Sequence, residues 1–222
     1  TKTIASGAFR DCKLLTSITI PYGVKNIGYS AFSNCYKLTA VAIPGSVTNI
    51  ESSAFSDCYN LSEVTIADGI INIGTSAFDG CSKLTEITIP YSVTYLGSDA
   101  LKGWNNLIEL TIPFVGEKKD NTKNTYLGYI FGADSYSENG DYVPQSLKKV
   151  TIIDGEYIDK NAFFKCENLT EVVLQNHMSS IGDSAFSGCT DLTTISLPNS
   201  VTSIGASAFL SCTSLSSIKL PI

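Results

Sequence analysis

The chain has 222 residues and a formal net charge of −6, and only 16% of its residues are charged. This acidic balance argues against a nucleic-acid partner, because such partners are bound by clustered Lys and Arg. The sequence has no run of about 18 apolar residues, so no membrane insertion is predicted within it.

A period of about 23 residues, a length typical of repeat proteins, runs through the chain from its first Ala-Phe pair onward. Within each unit, a Cys follows the Phe by three residues, and a Leu follows the Cys by three more. The Phe position is occupied in chain order by Phe9, Phe32, Phe55, Phe78, Leu101, Phe163, Phe186 and Phe209. A fixed period of this length predicts a solenoid, in which each unit buries its apolar face against its neighbours.

Each unit is predicted to open with a short strand and to continue through a turn. In residues 61–66, the alternation of Val64 and Ile66 predicts a strand with one buried face. Pro44 follows the equivalent strand of its unit and marks the end of ladder pairing. The Ala-Phe-x-x-Cys-x-x-Leu run has apolar residues three apart, which predicts one short helical or 3₁₀ turn. The strands are expected to stack in one parallel sheet, spaced about 4.8 Å apart.

Residues 43–62 and 197–216 show the whole unit most clearly. Both follow the pattern I-P-x-S-V-T-x-I-G-x-x-A-F-x-x-C-x-x-L-T almost whole, with Ser in the final Thr place. This pattern resembles the BspA-type leucine-rich repeat of bacterial surface antigens. The resemblance implies a β-rich, right-handed leucine-rich-repeat solenoid of about nine units over residues 1–222. It also implies a bacterial protein that is secreted or held at the cell surface. Some relatives are adhesins that bind host extracellular-matrix proteins.

The two ends of the sequence lie within repeats. Ile4 matches Ile50 in phase, and the chain stops just after the strand that ends near Leu220. Neither end resembles the polar cap that a solenoid normally needs. We therefore expect a segment of a longer protein, whose export signal and anchor lie elsewhere.

The seven Cys share one phase of the repeat, in which Trp104 takes the place of an eighth. Equivalent side chains of adjacent units are displaced by the same vector of about 4.8 Å. A disulfide needs Cβ atoms about 3.8 Å apart and a twisted geometry, which translated side chains do not supply. We predict that all seven are reduced and buried as small hydrophobic residues, in a slot that requires bulk. With a single His and no Cys-x-x-Cys motif, no metal or cofactor is expected.

The period fails once, between the strand motif that begins at Leu107 and the next one, which begins at Leu147. This interval is well beyond one repeat length, and about 17 extra residues therefore lie within 114–144, a polar, turn-rich insertion. Inside it, 126–132 is interpreted as a disguised Ala-Phe segment, with Phe131 or Ile130 in the core slot. The acidic stretch 134–141 lacks the spacing of a calcium loop.

The insertion also holds four of the eleven tyrosines, namely Tyr126, Tyr129, Tyr136 and Tyr142. Exposed Tyr suits protein and sugar surfaces alike, because the ring is flat and apolar and its tip is polar. Two interpretations stay open at this point. The tyrosines either pack the insertion onto the solenoid or contact a ligand.

Glu63, Glu86 and Glu109 occupy the same outward strand position in three consecutive units. Like charges on neighbouring strands repel, although water screens exposed groups. The run is therefore either a solvated face or a surface that meets a basic partner.

No catalytic motif is present in the sequence. It has no Gly-rich phosphate loop and no nucleophile elbow, and its single His, His177, stands in a turn. We predict a non-enzymatic, adhesin-like binding module that recognises a host protein or glycan through the sheet face, the insertion or both. The alternative is a passive spacer that presents other domains of a larger surface protein.

Overall fold

The computed structural model describes residues 2–119 and 123–220 as a stack of parallel strands. Residues 120–122 of the predicted insertion lie outside the described residues, as do Thr1 and residues 221–222. The described strands are β1 (Lys2–Ile4), β2 (Val24–Ile27), β3 (Ala40–Ile43), β4 (Asn49–Ile50), β5 (Glu63–Ile66), β6 (Asn72–Ile73), β7 (Glu86–Thr88), β8 (Tyr95–Leu96), β9 (Glu109–Ile112), β10 (Lys149–Ile152), β11 (Tyr157–Ile158), β12 (Glu171–Leu174), β13 (Ser180–Ile181), β14 (Thr194–Ser196) and β15 (Ser203–Ile204).

The predicted strands form the longer of two ladders, which runs through β3, β5, β7, β9, β10, β12 and β14. Apart from β5 and β7, neighbours in it pair in parallel, with Leu110 opposite Val150 and Val150 opposite Val172. These inward side chains are fully buried, because each one is covered by its equivalent in the next unit. The predicted parallel solenoid is confirmed.

A second ladder lies where the sequence analysis expected only a turn. It runs through β1, β2, β4, β6 and β8, and again through β11, β13 and β15. Ile27, Ile50, Ile73 and Leu96 align along it and are buried. The expectation of one sheet was therefore incomplete. Most of these strands have two residues, which is too short for a period-two pattern to show in the sequence.

The Ala-Phe segments form consecutive tight turns rather than a continuous 3₁₀ helix. The amide of Ser56 donates to the carbonyl of Ser53, and that of Leu61 donates to Cys58, both across three residues. Ser53 and Asp57 have φ near +57° and +58°, in the left-handed region, which interrupts any helical run. The predicted three-residue spacing is thus correct, but it arises from separate turns.

Phenylalanine rings stack face to face along the core, as the period predicts. The ring centroids of Phe32 and Phe55 are 5.0 Å apart and those of Phe55 and Phe78 are 5.2 Å apart, with nearly parallel planes. The pairs formed by Phe163, Phe186 and Phe209 repeat this geometry. One continuous apolar column therefore joins successive units.

Five cysteines of the column are buried, namely Cys35, Cys58, Cys81, Cys166 and Cys189. The prediction that all seven are buried is wrong for Cys12, which is exposed, and for Cys212, which is half-buried. Both belong to the outermost units of this chain, where a covering neighbour is present on one side only. All seven thiols are free.

The insertion does not interrupt the longer ladder, since β9 pairs directly with β10. It contains two 3₁₀ helices, Leu127–Phe131 and Tyr136–Glu138, and a short α-helix, Asn139–Tyr142. The amide of Leu101 donates to the carbonyl of Ile130 at 2.8 Å, as the amide of Phe78 donates to Ala100. Ile130 and Phe131 are buried in the core, which confirms the disguised Ala-Phe segment.

Candidate functional site

Glu63, Glu86 and Glu109 project from the outer face of the longer ladder. They begin β5, β7 and β9, and all three are exposed. Glu86 and Glu109 are register partners, and the next unit places Lys149 opposite Glu109. Lys149 forms an ion pair of 3.4 Å with Glu171. The acidic run therefore ends at β9, and these three glutamates define what we call the acidic face.

The ladder is open between β5 and β7. In neighbouring units, the amide of Ser62 donates to Thr39 at 2.9 Å, and that of Ile108 donates to Thr85 at 2.7 Å. The equivalent bond from Thr85 to Ser62 is missing, and among the described residues no backbone hydrogen bond joins β5 to β7. The break falls between Glu63 and Glu86, within the acidic face.

A cleft of about 450 Å³ fills this break. Glu86 and Glu109 line its polar side, and Val64, Ile66 and Ile87 line its apolar side. Ile66 is 8% exposed, whereas its equivalent Ile43 is 1% exposed. Val64 is half-buried, although the residues at its position in the other longer strands are buried. The opening therefore reaches the apolar interior.

Two of the four candidate tyrosines are packed, Tyr126 within the insertion and Tyr129 against the core. Tyr126 is buried, and its hydroxyl donates to the carbonyl of Ala133 at 3.1 Å. Tyr129 is half-buried and meets Tyr126 edge to face, with ring centroids 6.2 Å apart. Burial, with the nearby Glu117 carboxylate, raises the pKa of Tyr129 to about 12. Tyr126 thus has little surface to offer a ligand.

Tyr136 and Tyr142 remain accessible, at 44% and 43% exposure. Tyr136 meets Phe164 edge to face at 5.6 Å, which fixes its ring against the solenoid. The insertion is bonded to turn segments, through Leu101 and Ala162, and to β8, where the amide of Leu96 donates to Glu117 at 2.8 Å. Among the described residues, no backbone hydrogen bond joins it to β7 or to the outer face of β9. The structure therefore keeps these tyrosines apart from the acidic face.

Asn139 anchors the insertion, a role that the sequence analysis missed. It is fully buried, its Oδ1 accepts from the amide of Gly128 at 2.8 Å, and its Nδ2 lies 3.3 Å from the carbonyl of Ala162. It stands in the polar, turn-rich stretch of the insertion, where no periodic signal distinguishes it.

A second groove, of about 560 Å³, lies over the shorter ladder. Asn26, Asn49 and Asn72 occupy one position in three consecutive units along it, and Tyr95 continues the row. The side-chain amide of Asn72 donates to Asn49 at 2.7 Å. Exposed Tyr29 flanks this Asn groove. The recurrence of Asn at one phase of the repeat is the available signal for this groove, within a segment that the sequence analysis predicts to be a turn.

Neither metal nor membrane chemistry is indicated by the described part of the chain. Across residues 2–119 and 123–220, His, Cys, Asp and Glu do not gather in any group of three or more suited to a metal ion. Over the same residues, no helix has the length and apolar character needed to cross a bilayer.

Residues 2–122 and 141–222 match the family model described as the BspA type leucine rich repeat region, in six copies. A leucine rich cell surface protein from Faecalibacterium prausnitzii is 30% identical, with a TM-score of 0.52. That match covers 100% of this chain and 57% of the other. A leucine-rich repeat protein from Bacteroides ovatus is 26% identical, with a TM-score of 0.46, over 97% of this chain and 69% of the other. A comparison with curated proteins finds no match.

Proposed function

Because the chain belongs to the BspA-type leucine-rich repeat family, we propose that it is a non-enzymatic, adhesin-like binding module of a bacterial surface or secreted protein. Its proposed partner is a host protein with a basic surface, bound at the acidic face. The exposed row of Glu63, Glu86 and Glu109 beside an open cleft supports this proposal most directly.

Within the described residues, ion pairs do not neutralise the acidic face, since none of them includes Glu63, Glu86 or Glu109. Like charges at facing positions of paired strands are unfavourable, so Glu86 opposite Glu109 costs stability while the chain is free. A basic partner would relieve this repulsion, and its association would be fast and sensitive to salt.

If the chain were a passive spacer, no unit would need a surface or a ladder that differs from those of the other units. A spacer would keep an even surface and a closed ladder along its length, because nothing docks on it. The acidic face and its cleft favour binding over this alternative. Tyr136 and Tyr142 offer a separate contact region on the insertion.

The test compares two double variants of equal charge change. Glu86→Gln/Glu109→Gln neutralises the acidic face, and Glu156→Gln/Glu167→Gln neutralises two exposed glutamates elsewhere. Capture of purified extracellular-matrix proteins would be measured for both variants and the parent chain. We expect capture to fall for the first variant only. Equal capture by the two variants, or no capture by the parent, would contradict the proposal.

The Asn groove supports a second candidate function, which is binding of a neutral glycan. Its amides supply paired donors and acceptors, and Tyr29 offers a flat ring beside them. Glu51 also lines the groove. Its carboxylate already accepts hydrogen bonds from the side chain of Asn26, at 2.6 Å, and from the main-chain amide of Tyr29, at 2.8 Å. A glycan array probed with the parent and with Tyr29→Ala/Asn72→Ala would test it. Identical array profiles would exclude this groove.

A further inference from the structure

The hydrogen bonds of β5 show which neighbouring strand each of its main-chain groups faces. The amides of Glu63 and Ala67 donate to Thr39 and Ile43 in the preceding unit. In a parallel ladder, alternate residues direct their N–H and C=O groups to opposite neighbours. The main-chain groups of Val64 and Ile66 therefore turn the other way, toward β7.

The hydrogen bonds of β7 show that it presents a matching set of main-chain groups to β5. Thr85 accepts from Ile108, and the amide of Ile89 donates to Thr111 at 2.8 Å, so both residues are directed to β9. The intervening Glu86 and Thr88 therefore direct their main-chain groups to β5. None of these groups has a backbone partner across the break in the described structure. The cleft thus holds two facing strand edges, each with unpaired donors and acceptors.

The break is confined to one side of the stack. In the same units, the shorter ladder stays paired, with Ile50 opposite Ile73 and Ile73 opposite Leu96. The shorter ladder, together with turn bonds such as that from the amide of Phe55 to Ala77, therefore holds the two units together across the break. Cα atoms of β5 and β7 lie within 8 Å of each other, so accepting another strand requires these strands to move apart to about 9.6 Å, which is twice the ordinary spacing.

We propose that this cleft receives an extended segment of the basic partner as an added strand between β5 and β7. This inference rests on the proposed function, and it specifies the form in which the partner binds. Main-chain hydrogen bonds to two edges would supply affinity, and the pockets on either side would supply selectivity.

The walls of the cleft define the chemistry of that segment. A strand directs alternate side chains to opposite faces. One set would meet the Glu86 and Glu109 carboxylates, and the other would meet the apolar side chains of Val64 and Ile66. The cleft therefore selects a segment in which Lys or Arg alternates with apolar residues. A second copy of this chain is a poor occupant, because its net charge is −6.

Hydrogen exchange of the free chain tests the cleft itself. We expect the amides of Val64, Ile66, Glu86 and Thr88 to exchange at least about ten-fold faster than amides of β10 and β12, which are paired on both sides. Equal protection would show that the ladder is closed and would overturn the inference.

The binding test uses three hexapeptide probes. The first is Lys-Val-Lys-Val-Lys-Val, the second is the same peptide N-methylated at each Val, and the third has Glu in place of Lys. We expect the first to bind and to protect the four amides. The N-methylated peptide keeps its charge but loses donors, so its affinity should fall at least about ten-fold. The Glu peptide should not bind.

The outcomes separate this inference from the proposed function. Equal binding of the methylated and unmethylated Lys peptides, or binding without amide protection, would show surface charge attraction only and would overturn strand insertion. The acidic face would then remain a binding surface. Failure of the first peptide to bind would also overturn insertion. Unchanged affinity of that peptide for Glu86→Gln/Glu109→Gln would contradict the role of the acidic face, whichever way the peptide binds.

Discussion

The indole Nε1 of Trp104 donates a hydrogen bond to the carbonyl oxygen of Phe78 at 2.8 Å. In other units a thiol occupies the same position, as Cys58 does toward Phe32 at 3.3 Å and Cys81 toward Phe55 at 3.3 Å. The slot therefore requires a donor as well as volume, and the interpretation that it needs bulk alone was incomplete. A thiol and an indole N–H can each donate a hydrogen bond to the carbonyl oxygen at this position.

Trp104 belongs to the unit in which Leu101 replaces the usual Phe, and we expect the larger indole to fill part of the space that this Phe would occupy. We expect Trp104→Cys alone to destabilise the fold by about 3–5 kcal/mol, because it leaves a large cavity. Leu101→Phe/Trp104→Cys restores the residues of the other units and should recover most of this loss, since neighbouring core changes are coupled. Chemical denaturation of both variants measures the difference. Additive losses would show that the two sites do not share a cavity.

Thiol reactivity should follow position in the stack. Burial raises the pKa of Cys35 to about 11 and that of Cys58 to about 12, and reaction requires the thiolate. At pH 8 we expect a disulfide reagent to modify exposed Cys12 first, Cys212 more slowly and the buried thiols on the timescale of unfolding. In denaturant without reductant, seven thiols should be counted. A count of five or fewer would contradict the reduced state.

Asn139→Ala should loosen the insertion. The change leaves the amide of Gly128 and the carbonyl of Ala162 buried without this partner, at a cost of about 1–3 kcal/mol. Asp141→Ala, at an exposed position of the same short helix, serves as the control and should change stability by less than about 0.5 kcal/mol. Thermal unfolding compares the two variants, and equal melting temperatures would argue against the anchor.

The tyrosines of the insertion should divide into two groups. Tyr126→Ala removes buried packing and should lower the melting temperature. Tyr136→Ala/Tyr142→Ala changes accessible rings, so it should leave stability nearer to that of the parent. Loss of ligand capture in this double variant, with the fold intact, would add the insertion to the binding surface. A drop in stability equal to that of Tyr126→Ala would instead assign Tyr136 and Tyr142 to packing.

Asp159 should make stability depend on pH. Burial raises the pKa of its carboxyl group to about 6, above the value of about 3.9 expected in the unfolded chain. Between these values the folded state binds the proton more tightly, so this group's contribution to the free energy of unfolding falls as pH rises from about 4 to 6. Asp159→Asn should therefore gain stability relative to the parent at pH 7.5 compared with pH 4. A difference independent of pH would contradict the shift.

The sequence predicted the core positions that recur with the period. Phe55, Cys58 and Leu61 lie where their spacing placed them, because translation by one unit brings like residues together. The shorter ladder was missed at positions such as Asn49–Ile50, because hydrogen bonding between two-residue strands leaves no alternation to detect. The cleft could not be predicted from the sequence either. Residues 63–66 and 86–88 have the same strand pattern as 109–112, and the opening depends on the spacing of backbones in the assembled stack.

The direct pairing of β9 with β10 has a consequence for how this protein can vary. Val150 meets Leu110 in the same register that other strands adopt one repeat apart, although a much longer stretch of chain joins these two. The length of the intervening chain is thus decoupled from the register of the longer ladder, although Ile130 and Phe131 within it still fill core positions. Exposed residues between the two strands, such as Tyr136 and Tyr142, can therefore be replaced or added to without a change in this register.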